Sequence, residues 1–232
     1  MTAAPDPAHR SPIGPTDWLL FGAVLLGCFG SFAVTSILMI ATDPSGALAE
    51  YAYAQSFSLL GLVASELFAG LLAIVALAAC GWRAADLPFR LTWRDTALAL
   101  GLAVFVILVS WILWGPPLTE ANESPAALGL SLPLMLILLV SVVNPLFEET
   151  FVVGFVMRFL EWRGVPRWPL VALCISVVIR VAYHLYQGVD AIPLHLFMAI
   201  LFAGMFLWRR NLWPLVLAHG LLNLQGFLPY LL

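Results

Sequence analysis

The chain has 232 residues, of which 62% are hydrophobic and only 10% are charged, with a net charge of −3. Its mean hydropathy is +1.01. In soluble domains roughly a quarter of the residues are charged, so this composition excludes an ordinary soluble protein. The slightly negative net charge gives no indication of nucleic-acid binding. We therefore expect an all-α integral membrane protein, a single helical bundle whose solvent is the lipid bilayer.

Apolar runs of about 20 residues, the length that a spanning helix needs, follow one another along most of the chain. Residues 1–17 are rich in proline, alanine and aspartate and predict a short disordered tail. The first apolar run, from Trp18 to Ala41, is too long for a signal-peptide core, so we expect a membrane helix there and not a cleavable signal. We expect one structural domain, with N-terminal helices and connectors over 18–127 and the site-bearing core over 128–232. The runs predict seven membrane helices, near residues 18–41, 56–80, 95–114, 128–160, 168–187, 191–208 and 212–231.

The fourth run is longer than one membrane crossing requires. Asn144 and Pro145 lie in its middle, and a proline kinks a helix because it removes a backbone donor and crowds the preceding turn. The run is either one long, kinked helix or two crossings, which gives seven or eight helices in all. With seven crossings, every arginine except Arg180 falls on one side, opposite loops that contain acids and no arginine. We favour the single kinked helix, and the positive-inside rule then places the N-terminus in the cytoplasm.

Three polar clusters interrupt the apolar helices in the last third of the chain: Glu148–Glu149, Arg180 with His184, and His219 with Asn223. A charged side chain at the bilayer centre costs roughly 2.5–3.5 kcal/mol, so these groups need one another as partners. We expect the two acids, the two histidines and the asparagine to converge around one cavity. Adjacent helical residues lie about 100° apart, so only one of the two acids can face that cavity while the other faces a neighbouring helix.

Carboxylate, imidazole and amide groups allow two kinds of chemistry. In the first, a carboxylate takes a proton from water, and imidazole or amide donors hold the developing oxyanion. In the second, glutamate and histidine ligate a divalent metal that acidifies the water. Glu66 and His195 stand alone on apolar helices. Glu66 is ambiguous and we favour a structural pairing for it, while His195 is interpreted as structural or pore-lining. The three cysteines have no metal-type spacing and are interpreted as packing thiols.

The three clusters together resemble a known family. The pattern Pro145-x-x-Glu148-Glu149, then Arg180-x-x-Tyr183-His184, then His219-x-x-x-Asn223 is similar to that of the CPBP family, over residues 133–228. This family comprises type II CaaX prenyl endopeptidases and bacteriocin-processing or Abi-type intramembrane proteases. Each motif alone occurs often by chance, whereas the three in order on successive apolar helices are specific.

The resemblance implies a role for each motif residue. Glu148 would activate the attacking water and His184 would position it, while His219 and Asn223 would stabilise the oxyanion. Glu149 and Arg180 would support them. The glutamate mechanism requires no cofactor. In the alternative metallo-type mechanism, Glu148, His184 and His219 would hold zinc.

Two positions depart from the family pattern. The family usually has an arginine four residues after the second glutamate, where this chain has Val153, and a phenylalanine four residues before the first histidine, where this chain has Arg180. We interpret the pair as an exchange in which Arg180 replaces the missing cation. The sequence then predicts that the buried Arg180 guanidinium forms a bidentate pair with Glu149 or Glu148.

The sequence thus predicts an intramembrane endopeptidase with its catalytic core in residues 128–232, acting on a membrane-embedded or lipid-modified peptide. One alternative is a non-catalytic relative that binds a membrane peptide, as in an immunity role. A proton-coupled transporter is a weaker alternative. The chain is short for a transporter and shows no paired halves. The lack of lysine and the abundant alanine, leucine and glycine suggest a GC-rich bacterial genome and an inner-membrane location.

Overall fold

The structure is a computed structural model that describes residues 14–45, 56–114 and 132–231. These residues form helices and connecting turns, with no strand among them and a single backbone bridge between Leu132 and Leu231. The helices are α1 (Pro15–Thr42), α2 (Ser56–Ala79), α3 (Trp93–Trp114), α4 (Leu134–Trp162), α5 (Trp168–His184), α6 (Ile192–Arg209) and α7 (Trp213–Phe227).

Six of these helices, α1 to α6, are long and apolar enough to cross a membrane. The seventh, α7, has 15 residues, which is shorter than the 17 to 25 or so residues of a usual span. The all-helical membrane architecture is therefore confirmed, whereas the count of seven or eight crossings stays a prediction. Large apolar side chains such as Ile112 and Met135 lie exposed on the outer surface of the bundle, as expected of a surface that faces lipid.

The first helix begins earlier than the sequence predicts. It starts at Pro15, where the fixed backbone angle of proline suits the first helical position. The Asp17 carboxylate accepts a bond from the Gly14 amide at 2.9 Å, which completes the helix start. The last three residues of the predicted tail are thus helical, and residues 1–13 of that tail lie outside the described residues.

The fourth apolar run is one helix, as the arginine distribution indicated. Pro145 lies inside it, and the irregularity that follows is a π-helical segment over Glu149–Phe155. A π-turn changes the hydrogen-bond pattern of the backbone carbonyls within it. One of these carbonyls, that of Val152, accepts a hydrogen bond from the Ser176 hydroxyl on α5 at 2.6 Å. Such π-turns within α-helices occur often at functional sites, and this one begins at the second acid of the Glu148–Glu149 pair.

The arginine-bearing ends of the helices meet at one end of the bundle. Three ion pairs connect the beginnings of α1 and α3 with the ends of α4 and α6: Arg163 with Asp17, Arg210 with Glu161 at 2.8 Å, and Arg209 with Asp95 at 2.8 Å. A fourth pair lies within the last turns of α4, between Arg158 and Glu161 at 2.6 Å. We call this end the arginine end. It agrees with the prediction that these arginines share one side, and Arg10 lies outside the described residues.

The opposite end of the bundle is held by backbone hydrogen bonds. The Val189 amide donates to the Pro44 carbonyl at 3.0 Å, and the Leu132 amide donates to the Tyr230 carbonyl at 2.9 Å. These contacts join the end of α1 to the α5–α6 turn and the start of α4 to the residues after α7. Successive helices therefore alternate in direction, which places the two ends of the described chain at opposite ends of the bundle.

Candidate active site

Glu148 is the middle residue of α4, which runs from Leu134 to Trp162. At a rise of 1.5 Å per residue, its backbone lies about 20 Å from either end of that helix. Its side chain is buried, with 4% of its surface exposed. A carboxyl group at this depth has no bulk water nearby, so its partners within the protein decide what it can do.

A cavity of about 420 Å³ lies between α1, α2, α4 and α5. Of the predicted site residues, Glu148 and His184 line it. Much of the wall comes from α1 and α2, outside the predicted core of residues 128–232, and this wall is rich in hydroxyl groups. The polar residues that α1 and α2 contribute are Ser31, Thr35, Ser36, Ser58, Ser65 and Glu66.

The Glu148 carboxylate is held by donors on both of its oxygen atoms. Asn144 Nδ2 donates to Oε1 at 2.7 Å, and the Tyr183 hydroxyl donates to Oε2 at 2.5 Å. The Arg180 guanidinium lies 3.9 Å from the same Oε2. Together these contacts fix the orientation of the carboxylate toward the cavity.

Asn144 connects α2, α4 and α7 through its side-chain hydrogen bonds. Asn223 Nδ2 on α7 donates to Asn144 Oδ1 at 2.8 Å, which fixes the orientation of the Asn144 amide because its oxygen must face that donor. Its nitrogen therefore faces two acids, with Glu66 Oε1 on α2 at 2.6 Å in addition to Glu148. The prediction that Glu66 is a structural residue did not foresee this direct connection to the site.

Glu149 points away from the cavity into the interior, where none of its surface is exposed. Its Oε1 accepts a bond from Arg180 at 2.6 Å and contacts His219 Nδ1 at 2.7 Å. The predicted pairing of Arg180 with an acid is confirmed, but the expected bidentate geometry is wrong, because Arg180 Nε and Glu149 Oε2 have no hydrogen-bond partner within the described parts of the chain. The expectation that the two adjacent acids face different surroundings is confirmed. The guanidinium also lies over the Phe202 ring, 5.5 Å from its centroid, so aromatic contact adds to the ion pair.

His184 reaches the cavity from the last turn of α5. Its Nδ1 lies 2.9 Å from the Arg180 carbonyl, and since a carbonyl can only accept, Nδ1 carries the proton and Nε2 of the neutral ring is the acceptor. The His195 ring stacks on His184 with centroids 3.9 Å apart. His195 Nε2 contacts Gln187 Oε1 at 2.6 Å, so a second imidazole orders the first.

The five motif residues thus form one connected network but do not all line one cavity. Glu148 and His184 face the open space, whereas Glu149, His219 and Asn223 lie behind them and hold Arg180 and Asn144. The structure brings the five together, and Glu148 faces the cavity while Glu149 does not, as expected. It corrects the expectation for His219 and Asn223, which bond Glu149 and Asn144 instead of lining the cavity.

Comparison with known proteins finds one similarity, and it covers this network. Residues 130–225 match the family model described as Type II CAAX prenyl endopeptidase Rce1-like. Comparisons with curated proteins and with solved structures gave no significant match. The predicted resemblance is confirmed. The six apolar helices together with this match support an integral membrane protein that is similar to a protease family.

The Rce1-like region contains all the predicted site residues but leaves out α1 and α2, and with them a large part of the cavity wall. Sequence reasoning gave no catalytic role to Glu66, Asn144, Tyr183 or His195. Signals were nevertheless present, because Asn144 stands one helical turn before Glu148 and Tyr183 lies inside the second motif. Glu66 and His195 are each isolated polar residues in an apolar helix.

The Rce1-like network contains one group of possible metal ligands among the described residues. Atoms of Glu148, Glu149 and His219 lie within 4.8 Å of one another, and His184, which the sequence placed in the metal set, is not part of that group. The Arg180 guanidinium already contacts Glu149 and lies beside Glu148. Unit charges 4 Å apart interact by about 4 kcal/mol at an effective dielectric constant of 20, so the guanidinium offsets a large part of the attraction that the two carboxylates would exert on a divalent ion. Arg180 already occupies the place of a cation between these acids, and the group fits a divalent ion poorly.

Proposed function

We propose that the protein is an intramembrane endopeptidase that hydrolyses a peptide bond in a membrane-embedded or lipid-modified peptide, such as a prenylated CaaX peptide. The observation that carries this proposal is the position of Glu148, a carboxylate in the middle of a membrane helix, held by three partners and facing a cavity. The Rce1-like match supports the same class of substrate. We further propose that the chain lies in a bacterial inner membrane with its N-terminus in the cytoplasm.

In the proposed mechanism Glu148 is the general base. A water molecule in the cavity gives a proton to the carboxylate as its oxygen attacks the carbonyl carbon of the substrate. His184 positions that water through Nε2, the acceptor nitrogen left free by the bond from Nδ1 to the Arg180 carbonyl. Asn144 and Tyr183 keep the carboxylate oriented toward the water, and such positioning of a catalytic group lowers the entropic part of the barrier.

The oxyanion role that the family resemblance gives to His219 and Asn223 stays a prediction. Their donors bond Glu149 and Asn144 in this structure, so substrate binding would have to release at least one of them. A donor that stabilises an oxyanion lies 2.7–3.1 Å from that oxygen. His219 and Asn223 both lie within reach of the network but behind the residues that line the cavity.

We propose a glutamate-type rather than a metallo-type mechanism. The support is the Arg180 guanidinium, which supplies one positive charge to the two acids where a zinc ion would supply two. Dialysis of the purified protein against a chelator should therefore leave cleavage unchanged. Activity that is lost in chelator and restored by zinc would contradict this choice and favour the metal mechanism.

The experiment that tests the function compares Glu148→Gln with wild type on purified protein in liposomes. The probes are a farnesylated CaaX peptide with a fluorophore and quencher and a panel of unmodified membrane peptides. Glutamine keeps the volume and the acceptor oxygen for Asn144 but cannot take the proton, so cleavage should fall to background. The matched control is Glu161→Gln at the arginine end, where the acid contacts Arg158 and Arg210 far from the cavity, and its cleavage rate should stay at the wild-type value.

Two outcomes would contradict the proposal. Full cleavage by Glu148→Gln would exclude the glutamate base. Absence of cleavage by wild type across the whole panel, combined with specific binding of one of these peptides, would favour the non-catalytic binding protein instead.

A further inference from the structure

A second carboxyl group faces the same cavity from α2. Glu66 is buried, with 3% of its surface exposed, and it lines the cavity together with Glu148. Its Oε1 accepts the bond from Asn144 at 2.6 Å, and its Oε2 has no hydrogen-bond partner among the described residues. A buried polar atom without a partner has lost its hydrogen bonds to water and gained none, so an ionised carboxylate in this position would be poorly compensated.

The two acids are close to each other because they share one nitrogen atom. Asn144 Nδ2 has two protons and donates one to Glu66 and one to Glu148, so the two carboxyl groups lie within two hydrogen-bond lengths. Two carboxylates at this separation in a buried site do not ionise together readily, and such a pair divides into one charged and one neutral member.

Their surroundings decide which acid keeps the proton. Glu148 has the Tyr183 hydroxyl and the Arg180 guanidinium on its Oε2. Glu66 contacts no cation among the described residues, and Asn144 is the donor that it shares. Glu66 is therefore the acid that is better placed to hold a proton. Pairs of acids whose environments differ in this way often carry the opposite roles of base and acid in one reaction.

We propose that Glu66 is the general acid of the site and gives its proton to the nitrogen of the leaving amine. This inference rests on the proposed endopeptidase function. Water loses a proton to Glu148 and its oxygen forms the new bond to the carbonyl carbon. The carbon–nitrogen bond then breaks while the nitrogen takes the proton of Glu66. At the end Glu148 is protonated and Glu66 is ionised, and a proton returns from Glu148 to Glu66 through water in the cavity, so that one water is consumed per bond cleaved.

A general acid has a signature that a structural acid lacks. An amine leaves only when its nitrogen is protonated, whereas 4-nitrophenolate leaves without a proton. The test therefore compares two probes with the same lipid-modified acyl part, one a peptide amide and the other a 4-nitrophenyl ester. For Glu66→Gln, which keeps the acceptor oxygen for Asn144, the rate on the amide should fall by roughly 10²–10⁴-fold, the usual contribution of general acid–base catalysis. The rate on the ester should change by less than about threefold, since no proton transfer is lost there.

Two further variants separate the possible causes. Glu66→Asp keeps the acid and should retain more amide cleavage than Glu66→Gln, while Glu148→Gln should abolish cleavage of both probes because both need the base. Thermal unfolding of each purified variant checks that the bundle is intact. An equal loss on the amide and the ester in Glu66→Gln would mean that Glu66 is a structural residue and would overturn the inference, as would full amide cleavage by that variant. Failure of the base itself appears separately, as unchanged activity of Glu148→Gln.

Discussion

The guanidinium of Arg180 lies 2.6 Å from Glu149 Oε1, with both side chains almost completely buried in the bundle. The pair connects α5 with the start of the π-helical segment of α4, and His219 on α7 contacts the same carboxylate oxygen at 2.7 Å. Three helices are therefore fixed to one another at a single oxygen atom. The neighbouring Glu148 receives both its position and part of its electrostatic stabilisation from this pair, because Arg180 lies 3.9 Å from it.

Removing the cation should destabilise the bundle strongly. Breaking a buried ion pair by deleting one partner costs about 3–5 kcal/mol, since the remaining charge stays buried without compensation. We expect Arg180→Met to lower the free energy of unfolding by about that amount, measured by denaturant titration in detergent micelles. The control is Arg210→Met, because Arg210 pairs with Glu161 at the arginine end with both side chains partly exposed. Such surface pairs contribute about 0–1 kcal/mol, and an equal loss in the two variants would contradict the importance of the buried pair.

The exchange of cations between positions 153 and 180 can be tested directly. Val153 is buried one turn beyond Glu149 on α4, where the family pattern usually has arginine. We expect Arg180→Phe alone to lower both stability and cleavage, and the double change Val153→Arg with Arg180→Phe to recover part of each loss. A double-mutant cycle on unfolding free energy and cleavage rate measures the coupling. Strictly additive effects would show that the two positions do not compensate.

The close approach of α7 to α4 depends on one glycine. A Cβ atom added at Gly220 would lie 2.6 Å from the Ser141 carbonyl oxygen, whereas one added at Gly226 on the same helix would meet nothing within 4 Å. We expect Gly220→Ala to force the helices apart, break the Asn223–Asn144 bond, and reduce both the melting temperature and cleavage. Gly226→Ala should be neutral or slightly stabilising, because alanine favours helices by up to about 1 kcal/mol over glycine. Equal melting temperatures for the two variants would contradict this packing.

The sequence predicted those contacts of the site that compensate a charge buried in lipid. Arg180 in an apolar helix needs an acid as its partner, and Glu148 and Glu149 lie on the preceding helix. The Arg180–Glu149 pair and the placement of Glu148 and Glu149 in different surroundings follow from that need and from the geometry of a helix. The distribution of arginine between the two sides of the membrane also predicted that the fourth apolar run is one helix.

The contribution of α1 and α2 could not be predicted in this way. Burying serine or threonine in a membrane helix costs little free energy, because the hydroxyl can bond the backbone of its own helix. The hydroxyl groups that line the cavity therefore give no distinctive signal in the sequence. Glu66 did give a signal, but nothing in the sequence shows that Asn144, 78 positions away, lies opposite it. The π-helical turn at Glu149 was equally hidden, because it reflects packing of α4 against its neighbours rather than a local preference.

Tyr183 should matter for catalysis through its hydroxyl group alone. The hydroxyl donates to Glu148 Oε2 at 2.5 Å, and hydrogen bonds to charged groups contribute about 1.5–3 kcal/mol. Tyr183→Phe removes this bond and keeps the ring that stacks on Phe29 at 5.2 Å. We expect kcat to fall by roughly 10- to 100-fold, which is the rate equivalent of that bond energy, with little change in KM or melting temperature. A raised KM at unchanged kcat would instead assign Tyr183 to substrate binding.

The orientation of the bundle can be read from native and introduced cysteines. Cys80 lies exposed at the end of α2, next to the α2–α3 connector whose Arg90 carbonyl bonds Asn211 at the arginine end. Because arginine-rich ends face the cytoplasm, a membrane-impermeant maleimide should not label Cys80 in spheroplasts and should label it in inverted vesicles, in a background carrying Cys28→Ala and Cys174→Ala. The control adds Asp190→Cys to a Cys80→Ala background, at an exposed position beside the turn that contacts Pro44. That variant should show the reverse pattern. Labelling of Cys80 in spheroplasts would place the arginine end outside and contradict a cytoplasmic N-terminus.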